Sequence, residues 1–135
     1  MNWKLIGLLA GFGVLMGVAS VLGFTEGIEA LLWLAIGFIC VLVIVWKAPI
    51  RSFSHGVLVG LIGGAVAPFI QFLFFSAYMA NNPELSNRFA EIPGGMDARY
   101  FVLMLAPIIG MISGVVLGLI CWVAVKLVGT RGVAG

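Results

Sequence analysis

Four long apolar runs alternate with short polar segments along the chain. They cover residues 5–24, 28–46, 57–78 and 100–125, and each is close to the roughly 20 residues that cross a bilayer as a helix. This pattern predicts an all-α membrane protein with a single domain over residues 1–135, a bundle of four transmembrane helices. The first run is longer than the roughly 7 to 15 apolar residues of a signal peptide, so we expect it to remain as a span.

The basic residues are divided unevenly between the two sides that four antiparallel spans define. One side holds five Lys and Arg residues and the other holds two (Lys4, Lys47, Arg51, Lys126 and Arg131 against Arg88 and Arg99). Cytoplasmic loops of membrane proteins are enriched in Lys and Arg, so this asymmetry predicts that both termini lie in the cytoplasm.

The long external connection, residues 79–99, carries its own helix pattern. Asn82 is a suitable N-cap, Pro83 suits the first helical position and Glu84 suits the first turn. Apolar residues then recur at helical spacing (Leu85, Phe89 and Ile92). The pattern predicts a short amphipathic helix in the plane of the membrane interface, as a lid or spacer or as a docking surface for a partner.

Glycine recurs every fourth residue in three of the predicted helices. The third helix holds Gly56, Gly60 and Gly64, the fourth holds Gly110, Gly114 and Gly118, and the first holds two shorter pairs, Gly7 with Gly11 and Gly13 with Gly17. Such a stripe lets a neighbouring backbone approach closely. We expect helices three and four to pack through these stripes, with Gly60 and Gly64 near the level of Gly118 and Gly114. The alternative is that one stripe binds another subunit.

Both glycine-rich helices also contain a proline. Pro68 and Pro107 each remove one helical hydrogen bond, so kinks are expected near Gly64 and Leu103. The outer end of the third helix carries four phenylalanines (Phe69, Phe72, Phe74 and Phe75). Their bulk faces lipid or a partner, or it lines an apolar cleft for a lipid tail, quinone or pigment.

Two polar side chains are candidates for contact with a ligand or a partner. Gln71 lies inside the third span, where its amide requires a partner. We expect an interhelical hydrogen bond, and the alternative is a contact with substrate or a lipid head group. His55 is the only histidine. It is expected to lie at the interface, and the alternative is a haem or chlorophyll ligand, with room for a flat ring beside Gly56.

The composition excludes several classes of function. Apolar residues form 63% of the chain and charged residues 9%, and the net charge of +2 comes without a basic cluster. Nucleic acid is therefore not an expected partner. No Asp, Glu, Lys or Arg lies in the middle of a span, which disfavours an ion-coupled carrier. No catalytic constellation or metal-ligand spacing is present, so we expect neither an enzyme nor a metal site, and no other cofactor.

The features between residues 47 and 125 follow a definite order. A basic linker precedes the segment SFSHG at residues 52–56, then comes a glycine-striped helix that ends in aromatic residues, and then Asn82-Pro83-Glu84. This order resembles a bacterial family of four-helix integral membrane proteins of unknown function. The resemblance implies a location in the bacterial inner membrane. It implies no site residue, because the activity of that family is unknown.

Two functional hypotheses follow from these features. In the first, the chain is an accessory or structural subunit that packs against a larger membrane complex through its glycine-striped helices. Its small size, its lack of functional charges within the spans and its numerous glycine faces favour this hypothesis. In the second, the chain is a small homo-oligomeric transporter or a protein that binds lipid or another hydrophobic ligand through the outer cleft and Gln71.

Overall fold

A computed structural model describes residues 1–90 and 92–134, apart from the side chains of Ser86, Pro93 and residues 130–134. In this part of the chain the regular structure is entirely helical. The α-helices are α1 (Trp3–Val21), α2 (Glu29–Lys47), α3 (Ser52–Leu73), α4 (Phe75–Asn81), α5 (Leu85–Phe89) and α6 (Ala98–Ala134). Two 3₁₀ turns, Pro49–Arg51 and Pro93–Gly95, precede α3 and α6.

Four segments are long and apolar enough to cross a membrane. They are Trp3–Val21, Glu29–Lys47, Pro49–Leu73 and Ala98–Gly129, with mean hydropathies of 1.9 to 2.5. The prediction of an all-α protein with four helices of spanning length is therefore confirmed. These are the properties of an integral membrane protein. The cytoplasmic location of both termini stays a prediction.

The third predicted span does not continue as one helix to residue 78. Pro68 lies inside α3, which continues to Leu73, and Phe74 leaves the helical conformation with φ −110° and ψ 39° before α4 begins. The hydropathy pattern carries no signal for this break, and α4, which follows it, is hydrogen-bonded to the end of α1. Pro107 likewise lies inside a continuous helix, and α6 extends nine residues beyond the predicted end at Val125.

The external connection contains a shorter helix than the sequence predicts. The helix α5 has five residues and begins at Leu85. The amide nitrogen of Asn82 donates to the carbonyl oxygens of Ser20 and Tyr78. The role of Asn82 as the N-cap of α5 stays a prediction, and the same side chain forms a tertiary contact with the end of α1. The position of α5 at a membrane surface stays a prediction.

The core forms where α3 packs between α1 and α6. Its buried apolar residues come from four helices (Leu5, Ile6, Leu9, Cys40, Ile44, Val59 and Cys121). The helix α2 lies at the edge of this arrangement, with only Cys40 and Ile44 buried among its residues. The bundle is thus a compact three-helix unit of α1, α3 and α6 with α2 at its side.

The two long glycine stripes lie against each other in the interface between α3 and α6. A Cβ atom built at Gly60 would lie 2.5 Å from the Ser113 carbonyl oxygen, and one at Gly114 would lie 2.6 Å from the Val57 carbonyl oxygen. The levels differ from the prediction by one helical turn, since the contacts join Gly56 to Gly118, Gly60 to Gly114 and Gly64 to Gly110. Real Cβ atoms do not tolerate such distances, so glycine is required on both helices.

The other side of α3 receives α1 through a second close contact. A Cβ atom at Gly13 would overlap the backbone of Gly63, and one at Gly17 would lie 3.2 Å from the Ala67 Cα atom. Small residues on two faces of α3 therefore place it between two closely packed neighbours.

Adding one methyl group at Gly60 is expected to destabilise the protein, because the new Cβ would collide with the backbone of α6. We expect Gly60→Ala to lower the free energy of unfolding by about 1–3 kcal/mol, the usual cost of overpacking. Gly37→Ala is the matched control, since nothing lies within 4 Å of that position in α2; it is expected to stabilise the helix by about 0.5–1 kcal/mol. Unfolding in detergent micelles measures both, and unchanged stability of Gly60→Ala would contradict the close α3–α6 contact.

Candidate functional site

The buried polar side chains of the described residues lie towards the two ends of the bundle. We call the end that holds Lys4, Lys47, Arg51 and Lys126 the basic end, and the end that holds Glu26, Glu29, Glu84 and Asp97 the acidic end. Ser52 and His55 are buried near the basic end, whereas Ser20, Thr25, Gln71 and Asn82 are buried towards the acidic end. Each group forms specific contacts between helices.

Gln71 joins α3 to α1. Its amide nitrogen donates to the Ser20 hydroxyl oxygen at 2.9 Å, and that hydroxyl donates to the Gly17 carbonyl oxygen, also at 2.9 Å. Gln71 is 8% exposed and Ser20 is 1% exposed. The amide nitrogen of Gln71 therefore has a hydrogen-bond partner within the protein, as a polar group in an apolar environment requires.

The end of α4 is attached to the end of α1 by two asparagines. The Asn81 amide donates to the Val21 carbonyl oxygen at 2.9 Å, and the Asn82 amide donates to the Ser20 carbonyl oxygen at 2.7 Å. These carbonyl groups belong to the last turn of α1, whose final carbonyls lack intrahelical partners; that of Ser20 also accepts from the Gly23 N–H at 3.1 Å. The two amides thus complete the hydrogen bonding of a helix end and turn α4 towards α1.

The sequence contained a signal for this cluster that the hydropathy pattern did not show. Gln71, Tyr78 and Asn82 are spaced by seven and four residues, which in an uninterrupted helix would place polar groups along one face. All three are buried. A polar stripe within an otherwise apolar segment indicates a face that packs against other parts of the protein instead of lipid.

His55 attaches the chain terminus to the start of α3. Its Nε2 atom accepts from the Asn2 backbone N–H at 3.1 Å, and its Nδ1 atom lies 2.8 Å from the Arg51 carbonyl oxygen. Both bonds form together when Nδ1 carries the proton and donates it to Arg51. A haem or chlorophyll metal would have to displace Asn2 to reach the ring, and Gly56, which was expected to leave room for a flat ring, packs against Gly118.

The phenylalanines after Pro68 form pairs that connect helices. Phe72 lies 6.2 Å from Tyr100 between ring centroids, and the Arg99 guanidinium carbon lies 4.7 Å from the Phe72 centroid. Phe75 lies 6.1 Å from the Phe89 ring. Phe72 therefore links α3 to α6, and Phe75 links α4 to α5, within the region where an apolar cleft was considered.

The described residues offer no obvious centre for chemistry. In them, no group of three His, Cys, Asp or Glu side chains is arranged to hold a metal ion. Cys40 and Cys121 are both free and buried. Comparison with known protein families, with curated proteins and with solved structures finds no match to the chain.

Ser20→Ala is expected to lower the free energy of unfolding by about 1–3 kcal/mol, because it leaves the buried Gln71 amide without its partner. Gln71→Met replaces that amide by an apolar side chain of similar length. We expect the double variant to be less destabilised than the sum of the single variants by about 0.6–1.7 kcal/mol, as for other interhelical hydrogen bonds in membrane proteins. Additive effects in this double-mutant cycle would show that the pair does not stabilise the fold.

His55→Phe is expected to loosen the first turn of α1, because it removes the acceptor for the Asn2 N–H. Asn2 also caps this turn by accepting from the Leu5 N–H at 3.1 Å. Hydrogen exchange at the N-terminal peptide should become faster in His55→Phe and stay unchanged in the control Ser54→Ala, whose side chain is exposed. Unchanged exchange in His55→Phe, or a haem absorption band in the purified wild type, would contradict a purely structural role.

Proposed function

We propose that the chain is an accessory subunit of a larger membrane complex and that it binds an apolar helix of its partner through α1 and α2. In this proposal α3 and α6 provide the rigid part of the subunit. The expected role is binding, without catalysis. The partner surface is the outer side of the α1–α2 hairpin.

The observation that carries the proposal is the weak packing of α2. Only 17% of its spanning window is buried, against 50% for α1, 44% for the span that contains α3 and 22% for the span in α6. Unlike α2, α6 is held along its length by the glycine contacts with α3. Large apolar residues every fourth position remain exposed along it (Leu34, Phe38, Leu42 and Trp46). Helix association within a membrane depends on such side-chain packing, because lipid tails are as apolar as the helices themselves.

The distribution of glycines supports the inclusion of α1 in the proposed partner surface. The six stripe glycines of α3 and α6 are occupied by contacts between those two helices, so they are not available to a partner. Gly7 and Gly11 in α1 have nothing within 4 Å of an added Cβ. Their four-residue spacing places them on one helix face, where another helix can approach closely.

The alternative, a transporter or ligand-binding protein that uses Gln71, has less support. The amide nitrogen of Gln71 is bonded to Ser20, and the apolar middle of the spans supplies no ionisable group for coupled transport. A packing role requires neither a free side-chain amide nor an ionisable group within the spans. The α1–α2 surface therefore favours the subunit hypothesis.

Gly11→Leu is expected to remove the partner without unfolding the subunit, because its side chain would occupy the space left for another helix. The tagged wild type, extracted from native membranes in mild detergent, should migrate on a native gel with a stoichiometric second membrane protein, identified by mass spectrometry. Gly129→Leu in α6 is the matched control, since that glycine also has nothing within 4 Å, and it should retain the partner.

Two results would contradict the proposal. One is migration of the wild type alone, as a monomer or a homo-oligomer. The other is retention of the partner by Gly11→Leu at the level of Gly129→Leu. Unfolding temperatures of the purified variants show whether each substitution leaves the bundle intact.

A further inference from the structure

A cavity of about 460 Å³ lies at the acidic end of the bundle. Its walls come from the turn between α1 and α2, the first turns of α2, the end of α4, and α5 with the segment that leads into it. The volume is within the roughly 300–1,000 Å³ of small-molecule sites in proteins. Because α2 is a candidate span that begins at Glu29, the cavity lies at the level where a bilayer would place its head groups.

The charge that lines this cavity is predominantly negative. Three carboxylates, of Glu26, Glu29 and Glu84, face one guanidinium, of Arg88, which leaves a formal net charge of −2. A concave surface with an excess of one charge attracts ligands of the opposite charge. The charge therefore favours a cationic ligand.

Two hydroxyl groups of deeply buried residues add polar contacts inside the cavity. Thr25 is 2% exposed and Tyr78 is 8% exposed, and both line the cavity. Neither side-chain hydroxyl has a hydrogen-bond partner within residues 1–90 and 92–134. No side-chain nitrogen or oxygen there is both sealed from solvent and unpaired, so each hydroxyl keeps some accessible surface. Because both residues line the cavity, we infer that this surface opens into it. Polar groups held in this way are normally satisfied by water or a ligand.

The type of cation follows from the same residues. Glu26, Glu29 and Glu84 are not among any described group arranged to hold a metal ion. Trp33 and Tyr78, however, supply aromatic rings to the lining. Aromatic rings together with carboxylates are the groups that recognise organic ammonium ions, through cation–π contacts and charge. The cavity thus suits a cation larger than a metal ion.

We propose that this cavity binds an organic ammonium group, carried by a phospholipid head group or by a soluble amine. The carboxylates neutralise the ammonium charge, and the rings of Trp33 and Tyr78 contact the carbon atoms bonded to its nitrogen. The two hydroxyls take the place of water molecules that hydrate the free cation. The site does not depend on the proposed partner surface. It lies at the end of α2, whereas that surface extends along the membrane-spanning faces of α1 and α2.

The test uses the fluorescence of Trp33 in the full chain, with Trp3, Trp46 and Trp122 replaced by phenylalanine. The probes are dihexanoyl phosphatidylethanolamine, dihexanoyl phosphatidylglycerol with the same chains and no ammonium, and free ethanolamine. We expect the ethanolamine lipid to bind at least about tenfold more tightly than the glycerol lipid. Binding of free ethanolamine with the affinity of the lipid would identify a soluble amine as the source, and binding of the lipid alone would identify the head group.

Matched variants separate the cavity from general charge effects. Glu29→Gln should weaken binding at least about tenfold, whereas Asp97→Asn, at the same end but outside the cavity lining, should leave it unchanged. If Glu29→Gln does not fold, Glu84→Gln replaces it, since the Glu84 side chain is exposed. Two results would overturn the proposal. One is equal affinity for the two lipids together with no binding of ethanolamine, and the other is unchanged affinity in a folded Glu29→Gln or Glu84→Gln variant.

Discussion

The close approach of the α3 and α6 backbones is the contact on which the rest of the bundle depends. In a bilayer, apolar side chains gain little by leaving lipid, so helices associate where their surfaces fit most closely. Glycine at facing positions permits that fit, and a Cβ on either helix would meet backbone atoms of the other at 2.5–3.2 Å. With α6 held in this way on one face of α3, Gly13 and Gly63 bring α1 close on another.

Hydrogen bonds then determine how far the helices can slide along one another. Dispersion contacts between smooth glycine faces are weakly directional, whereas a buried amide is costly to leave without a partner. Gln71 is bonded to Ser20 towards the acidic end, and His55 accepts from Asn2 near the basic end. The helix α1 is therefore attached to α3 at both of its ends, and the pair behaves as one unit.

The helix α2 has a different role because it contributes so little to the core. Apart from Cys40 and Ile44 its side chains lie at intermediate or exposed positions. A helix that the fold requires only weakly can adapt to a partner along its length. Its first turns also form a wall of the acidic cavity, through Glu29, Ala30 and Trp33. Both proposals therefore concern the side of the molecule that the packed core leaves open.

The sequence by itself determined the helical class, four helices of spanning length and the positions of the glycine stripes. Hydropathy and four-residue spacing are properties of single segments, which is why they can be read without a structure. The tertiary structure alone decided that Gly60 faces Gly114, that α3 ends before Phe74, and that the Asn82 amide bonds to the end of α1. These features depend on contacts between segments up to 62 residues apart, and a local pattern contains no information about which distant group will be in reach.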